Sequence, residues 1–469
     1  MNINQKKRKS VSGSIYLFDT YERKERLFVP LKPGRVKMYT CGPTVYDYPH
    51  IGNLRAYIVA DVLRNTLEFN GYKVKQVINI TDVGHLTSDA DSGEDKMELS
   101  ARKQKRSAFE IAELYTGIFK QNLLALNIKP PSVWSKATDH ISEQITLIQR
   151  LEKAGYTYLT SDGVYFDTSR LSNYGHLARL GVAGIKPGAR VDIGEKNKIT
   201  DFALWKFSPK DRKRQMEWQS PWGIGFPGWH IECSAMAMKY LGETIDIHTG
   251  GIDHIPVHHT NEIAQSEAAT GKQFVRYWMH VAFLTVNGKK MAKSEHNFVT
   301  LQDIVDRGYD PLAFRYLVLT SHYRAGLNFT WPSLRGAQKA LLSLREKVSI
   351  LGNKKVSPDK QELQEFKRCI NNDFNTPQAI ALLWKIADSP LTPQKKAAIL
   401  EFDKVLRLNL GYLLSEKIPE EIRVLVQKRE DLREDNKWEE SDRVRQEIIK
   451  KGYEVRDTSA GPKVIRRGL

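Results

Sequence analysis

A glycine-bearing turn near the start of the chain lies between a predicted strand and a predicted helix. It reads Cys41-Gly42-Pro43-Thr44-Val45-Tyr46-Asp47-Tyr48-Pro49-His50-Ile51-Gly52-Asn53. Side chains alternate over 36–40, which is typical of a strand, and apolar residues recur every three or four positions over 56–67, which indicates a helix. A second strand, rich in Val and Ile, is predicted over 73–80. The unit is therefore a βαβ crossover, which is right-handed in nearly every case.

The turn lies where open α/β sheets bind nucleotides, at the carboxyl end of a strand and the amino end of a helix. His50 and Asn53 are candidate catalytic residues there, as donors to a triphosphate. Gly42, Thr44 and Gly52 complete the predicted nucleotide-binding turn, and Gly52 lets base and ribose approach the backbone because it has no Cβ. A turn that simply enters a helix explains these residues equally well.

Composition and charge limit the classes to which the protein can belong. The chain has 469 residues, 41% of them hydrophobic, but no run of about 18 apolar residues, so no membrane-spanning helix or secretory signal is predicted. Three cysteines argue against a disulfide scaffold and favour a reducing compartment, which predicts a cytoplasmic protein. The net charge of +17 favours nucleic acid as a partner, although a generally basic organism or a solubility effect explains charge alone.

Changes of pattern divide the chain into regions. The predicted fold class is α/β, with a Rossmann-type parallel-sheet catalytic domain that carries an insertion, followed by an α-helical bundle and a small C-terminal domain. The predicted boundaries are an N-terminal extension (1–35), the first half of the Rossmann domain (36–130), an insertion (131–215), the second half of the Rossmann domain (216–286), a region with a basic loop (287–330), the helical bundle (331–418) and the C-terminal domain (419–469).

Two of the three cysteines and a His/Glu pair are candidate metal ligands. Cys41 opens the turn, Cys233 lies in the segment 228–236, and His258 and Glu262 share one face of a predicted helix. Two thiolates, an imidazole and a carboxylate suit a tetrahedral zinc site. The four residues are scattered, however, and by spacing alone two core cysteines with a surface His/Glu pair are the commoner arrangement.

A short basic loop follows a strand-like run over 281–286. It reads Lys289-Lys290-Met291-Ala292-Lys293-Ser294. Lys290 and Lys293 are candidate catalytic residues, because lysines here can neutralise a leaving pyrophosphate. Taken by itself, such a loop is usually solvated surface.

Taken together, these motifs resemble those of the class I aminoacyl-tRNA synthetases. The segment 49–53 is similar to their HIGH signature, and 290–294 is similar to their KMSKS loop. Other segments narrow the resemblance to the cysteinyl-tRNA synthetases, from about residue 14 to the C-terminus. These segments are 41–46, 228–236, 246–251, 258–262 and 371–377.

The resemblance implies that the chain activates L-cysteine with ATP and transfers it to the 3′ end of tRNA-Cys. It implies one Zn²⁺ per chain that binds the substrate thiolate, with Cys41, Cys233, His258 and Glu262 as its ligands. Mg²⁺ is expected with ATP, and the chain is expected to be a monomer. The C-terminal domain (419–469) is implied to bind the anticodon.

The resemblance also implies further site residues. Lys293 matches the second lysine of the signature loop, which contacts ATP. Trp229 matches an aromatic residue that lines the substrate pocket, where Thr81 is also expected. Gly251 and Asp253 are expected to contact ATP, with Asp253 at the ribose.

The chain departs from the family pattern at several positions. Asn53 stands where the family usually has a second signature histidine, Ala292 replaces a serine of the loop, and Thr260 replaces a common glutamate. Gly84-His85 stands where many members have acidic residues, and the segment 461–467 lacks an expected tryptophan. These differences bear on the rate and on the anticodon contacts, whereas all four ligand positions are present.

Two other functions fit part of the pattern. A cysteine ligase that acts on an amino sugar would use the same adenylate chemistry and the same metal site, but it would not need the region 355–469. A non-catalytic RNA-binding protein descended from a synthetase would not need Lys290, Lys293 and the four candidate ligands together. The tRNA ligase is therefore the favoured function.

Overall fold

The computed structural model describes residues 13–84, 94–179, 195–209, 213–291, 297–349, 356–411, 418–458 and 461–466. Lys293, Ala292 and His85 lie outside the described residues, so the basic loop is described only as far as Met291. None of the described helices has the length and apolar character needed to cross a membrane.

Strands and helices alternate through the first part of the chain, and helices dominate after residue 331. The strands are β1 (Tyr16–Asp19), β2 (Lys24–Leu27), β3 (Arg35–Thr40), β4 (Lys73–Ile80), β5 (Val133–Lys136), β6 (Thr157–Thr160), β7 (Gly163–Phe166), β8 (Phe202–Phe207), β9 (Gly225–Pro227), β10 (Ile245–Gly251), β11 (Val275–Val281), β12 (Leu284–Val286), β13 (Lys289–Lys290), β14 (Leu327–Phe329), β15 (Tyr453–Thr458) and β16 (Gly461–Arg466). The helices are α1 (Ile51–Phe69), α2 (Lys96–Gln104), α3 (Ala108–Ala125), α4 (Ile141–Lys153), α5 (Trp229–Leu241), α6 (His258–Thr270), α7 (Leu301–Asp306), α8 (Pro311–Leu319), α9 (Trp331–Ser349), α10 (Lys360–Asn371), α11 (Thr376–Ala387), α12 (Pro393–Leu406), α13 (Glu420–Glu434) and α14 (Trp438–Lys450).

The largest sheet of the described residues is parallel throughout and has the strand order β11-β10-β3-β4-β5. The chain winds in one direction from β3 through β4 to β5, and later in the opposite direction from β10 to β11. The order therefore reverses between β3 and β10. Ligands of open α/β sheets bind outside the carboxyl ends of the strands at such a switch point. The predicted Rossmann-type sheet is confirmed.

The first crossover follows the prediction from the turn. β3 and β4 coincide with the predicted strands, and α1 lies between them. Leu54, Ile58 and Leu63 are buried on α1, which explains the apolar period read from the sequence. The helix ends just before Gly71, whose φ of 88° favours glycine.

An antiparallel sheet of β6, β7, β8 and β9 forms the predicted insertion, but its bounds differ from 131–215. β5 follows Pro130-Pro131 and pairs in parallel with β4, with Val133 opposite Val77, so it belongs to the Rossmann sheet. The antiparallel strands end only at Pro227. The predicted boundary between residues 130 and 131 is therefore too early, because Pro130-Pro131 precedes a strand of the parallel sheet.

The prediction of an N-terminal extension over 1–35 is wrong for the residues that the structure describes. β1 and β2 form an antiparallel hairpin, and Ile15 and Leu17 are buried in the core. The N–H of Thr20 donates to the carbonyl of Trp278 at 2.8 Å, so the hairpin covers the β11 edge of the parallel sheet. The sequence pattern did not reveal β1, because its alternation of buried and half-buried residues is short and lies among many charged residues.

The predicted helical bundle is confirmed over α9 to α12, and it shares one hydrophobic core with the parallel sheet. Arg315 of α8 and Asp61 of α1 form a fully buried ion pair at 2.6 Å, which ties the bundle side to the crossover helix. A separate small core lies in the last described segment, where Ile422 and Ile448 pack together. The C-terminal module is thus a compact unit with its own core.

Candidate metal centre and active site

The four candidate ligands meet in one buried cluster at the switch point. Cys41 follows β3, Cys233 lies on α5, and His258 and Glu262 lie one turn apart on α6. Their ligand atoms all lie within 4.8 Å of one another. The distance from His258 Nε2 to Glu262 Oε1 is 3.1 Å, and that from Cys41 Sγ to Glu262 Oε1 is 3.8 Å. Donors around a tetrahedral Zn²⁺ are separated by roughly 3.3–3.8 Å, so this cluster can hold a metal ion.

The charges of the cluster also suit a cation. Although burial opposes it, His248 and His258 hold the pKa of Glu262 well below its usual value. A hydrogen bond from Cys41 lowers the pKa of Cys233, whereas burial raises that of Cys41. Burial disfavours the imidazolium of His258, but Cys233 and Glu262 raise its pKa to about 10. A proton on the imidazole of His258 thus balances the negative charge of Cys233 and Glu262. A bound metal ion would take the place of this proton.

A shell of histidines surrounds the four ligands and orients them. Its contacts are His248 Nε2 to Glu262 Oε2 at 3.0 Å, His259 Nε2 to Cys41 Sγ at 3.3 Å, His230 Nδ1 to His258 Nδ1 at 3.0 Å, and His259 Nδ1 to His280 Nε2 at 2.7 Å. Such outer contacts fix the tautomer and ring orientation of ligands. The sequence reading missed this shell, although the crowding of histidines over 230–280 was a visible signal. Cys41, His248, His259 and Glu262 form a second, overlapping group of possible ligands.

Trp229 lies at this cluster, and its predicted contact with the substrate stays a prediction. It is the first residue of α5 and is half-buried. Its ring centroid lies 4.5 Å from that of His258, with the two planes tilted by 33°. The aromatic face therefore covers the imidazole of a candidate ligand.

Gly42 and Thr81 connect the turn to the end of strand β4. A Cβ at Gly42 would lie 1.5 Å from the backbone oxygen of Asn79, so the close approach of the turn to β4 requires glycine. Thr81 is buried, its N–H donates to the carbonyl of Pro43 at 3.0 Å, and its hydroxyl accepts a hydrogen bond from Asn79. Thr44 pairs with Thr81 through a backbone bridge. These contacts explain the residues structurally and leave their predicted substrate contacts as predictions.

His50 and Asn53 hold each other at the start of α1. The N–H of His50 donates to Asn53 Oδ1 at 3.2 Å, and the N–H of Asn53 donates to His50 Nδ1 at 3.1 Å. This reciprocal arrangement is a capping box. Because Nδ1 accepts, the neutral imidazole carries its proton on Nε2. Burial lowers the pKa of His50, with Asp253 opposing, and this favours that neutral form.

Asp253 lies across the turn from His50. It is exposed in the short helix Ile252–His254 that follows β10, and its charge acts on the pKa of His50. A Cβ at Gly251 would lie 2.2 Å from Asp253 Oδ1, so the glycine gives this carboxylate room. The two residues border the switch point, where an ATP contact was expected.

The described start of the basic loop lies beside the His50 turn. Lys290 is exposed, with its Nζ 5.6 Å from the centre of the Phe283 ring. A Cβ at Gly52 would lie 2.6 Å from Met291 Cε, so Met291 packs over this glycine. The N–H of Ile51 donates to the carbonyl of Val299 at 2.9 Å, beyond the loop. The described start of the basic loop is therefore a neighbour of the His50 turn.

A Rossmann sheet with the first signature at its switch point, and the described start of the second beside it, is the catalytic architecture of the class I aminoacyl-tRNA synthetases. A family model described as the tRNA synthetases class I (C) catalytic domain matches residues 27–339. The chain is 53% identical to cysteine–tRNA ligase 1 of Burkholderia lata, with 96% of each chain covered. It is 38% identical to the cysteine–tRNA ligase of Thermococcus gammatolerans over 96% of this chain and 98% of the relative. The chain therefore belongs to the cysteine–tRNA ligases.

A solved structure gives the same fold. The Mycobacterium tuberculosis methionyl-tRNA synthetase in complex with methionyl-adenylate matches with a TM-score of 0.55 and 15% identity, and the match covers 80% of this chain and 90% of that chain. At this identity the likeness concerns the fold alone.

Proposed function

We propose that this cysteine–tRNA ligase forms cysteinyl-adenylate from L-cysteine and ATP at the switch point, and that Zn²⁺ held by Cys41, Cys233, His258 and Glu262 selects the substrate. The observation that carries the proposal is the buried cluster of two thiols, an imidazole and a carboxylate beside the nucleotide-binding turn. The bound metal would supply a soft Lewis acid that prefers a thiolate to a hydroxyl.

This set of donor atoms suits the discrimination of cysteine from serine. Cysteine and serine differ by one atom, and a hydrophobic pocket separates such near-isosteres only by about 10²-fold. Trp229, packed on His258, excludes water from one side of the cluster. Discrimination then takes place at binding, and no separate editing domain is required.

The signature residues act on ATP and on the leaving pyrophosphate. The carboxylate of cysteine attacks the α-phosphate, and no covalent enzyme intermediate is needed, so the protein acts by positioning and by charge stabilisation. His50 donates from Nε2, while Lys290 and Lys293 stabilise the charge that builds on the pyrophosphate. Asp253 contacts the ribose. Mg²⁺ accompanies ATP.

Transfer to tRNA-Cys uses the later regions of the chain. The C-terminal domain (419–469) binds the anticodon, since the catalytic site lies in the first three hundred residues and an anticodon lies far from the acceptor end. The enzyme acts as a monomer in the cytoplasm, a location that its three free cysteines favour.

Cysteine-dependent ATP–pyrophosphate exchange, measured beside aminoacylation of tRNA-Cys, tests the proposal. Exchange with cysteine and very weak exchange with serine are expected. Appreciable exchange with serine, followed by hydrolysis of a mischarged tRNA, would place selectivity in editing and reject the role of the metal. Exchange without tRNA charging, but with ligation to an amino sugar, would support the rival ligase.

A further inference from the structure

A second cavity lies across helix α6 from the metal centre. It has a volume of about 340 Å³ and lies between the N-terminal hairpin, the segment 171–177 and α6. Successive residues of an α-helix are rotated by about 100°, so Glu267 lies on the opposite face from His258. Thr260, Ile263 and Ala264 of α6 share the face that lines the cavity. The cavity is therefore separate from the cysteine site, with α6 between them.

Aromatic rings form much of the wall. The rings of Tyr21 and His176 lie 4.5 Å apart, and Tyr156, Tyr174 and Trp278 also line the cavity. The Tyr174 hydroxyl donates to Asn261 at 2.7 Å, which fixes that ring. Cations are attracted to the faces of such rings, most strongly where water is excluded.

Glu267 supplies a negative charge to the same cavity. One carboxylate oxygen accepts the N–H of Phe274 at 3.1 Å, and among the described residues the side chain has no ion-pair partner. The one lysine of the wall, Lys272, pairs instead with Glu243 at 2.7 Å and is 62% exposed. Burial raises the pKa of Glu267, and burial together with the charge of Glu267 raises the pKa of Tyr21. A cation bound here would relieve both effects.

We propose that this cavity binds a small organic cation, an ammonium group on an aromatic or apolar body. The ammonium would pair with Glu267, and the body would lie among the rings of Tyr21, Tyr156 and Tyr174. The volume lies at the lower end of the range of small-molecule sites, which is about 300–1,000 Å³. Trp278 borders the cavity and also stacks on the ring of His248, with ring centroids 4.6 Å apart, so one side chain separates the occupant from the histidine shell of the metal centre.

Calorimetric titration of the full chain with phenethylammonium tests the proposal. A molecule of this size is expected to bind with a dissociation constant on the order of 1 mM. Its uncharged analogue 2-phenylethanol should bind at least about tenfold more weakly, because it lacks the charge that Glu267 and the rings recognise. Equal binding of the two molecules, or no saturable binding of phenethylammonium, would overturn the proposal.

Two variants locate the site. Glu267→Gln keeps the shape and the acceptor for Phe274 but removes the charge, and it should weaken phenethylammonium binding about tenfold. Ala268→Leu narrows the cavity and should abolish binding while Glu267 stays in place. The control Glu143→Gln removes a carboxylate outside the wall, one that pairs with Lys239, and should leave binding unchanged. Wild-type affinity in both test variants would show that phenethylammonium binds elsewhere, and would reject the site.

Discussion

The metal cluster and the phosphate side of the active site are built in opposite ways. The cluster is buried, its ligands lie on α5, α6 and the end of β3, and outer histidines contact Cys41, His258 and Glu262. The phosphate side has exposed residues, Asn53 and Lys290, on a turn and at the start of a loop. Rigid burial suits the selection of one sulfur atom, whereas exposed groups can follow a triphosphate that arrives and leaves. Substitutions on the two sides should therefore change different quantities, zinc content on one side and rate on the other, and the sizes of the effects should also differ.

The largest effect is expected from the buried side. Cys233→Ser should lose most of the bound zinc and lower cysteine-dependent exchange by at least ~10³-fold, equivalent to about 4 kcal/mol, because a hydroxyl is a poor zinc ligand. Elemental analysis and exchange assays measure both. Cys369→Ser is the matched control, since this free thiol lies outside the cluster. Full zinc content in the Cys41→Ser, Cys233→Ser double variant would refute the ligand assignment.

A smaller effect, confined to rate, is expected from the loop. Lys293→Ala should slow activation by ~10²–10³-fold, as does removal of one preorganised charge-stabilising donor. Cysteine affinity should hardly change, because the lysine acts on the leaving pyrophosphate. Pre-steady-state adenylate formation separates the two quantities, with Lys289→Ala as the neighbouring control. A normal rate in Lys293→Ala would exclude the predicted role.

Removal of the C-terminal domain should leave both sides of the active site intact. A chain that ends near residue 417 is expected to form cysteinyl-adenylate normally but to charge tRNA about 10²-fold less efficiently, mainly through weaker binding. Lost phosphate contacts make binding salt-dependent, and each unstacked base that is lost costs about 1–3 kcal/mol. Exchange and aminoacylation are measured on the same truncated protein. Equal survival of both activities would show that the C-terminal domain does not recognise tRNA.

The comparison also shows what sequence reading can and cannot give. The strands β3 and β4 of the first crossover were predicted to within a residue, and α1 was predicted over 56–67 although it begins at Ile51, because the periodicity of these elements is local. The metal ligands were expected only through the family resemblance, because residues 41, 233, 258 and 262 meet through long-range packing that spacing does not reveal. The hairpin β1-β2 was missed for the same reason, since its burial depends on the edge of β11.

The smallest effect on the rate of activation is expected at Asn53. This residue lies on the exposed phosphate side and acts there through its local contact with His50. Asn53 Oδ1 accepts the N–H of His50, and the N–H of Asn53 holds His50 Nδ1, so that Nε2 carries the proton. Asn53→Ala removes the first contact and should slow activation about tenfold, in line with the ~0.5–2 kcal/mol that a helix cap contributes.

Asn53→Gln separates this capping role from a direct contact with ATP. Glutamine is a regular partner in capping boxes, so this variant can restore the contact to the His50 N–H while it moves the amide donor away from its native position. If the cap is what matters, exchange in Asn53→Gln should stay close to wild type while Asn53→Ala falls. If both variants fall equally, with a raised KM for ATP, the amide itself contacts the triphosphate. In that case the phosphate side of the active site, like the metal cluster, would bind its ligand through a direct side-chain contact at this position.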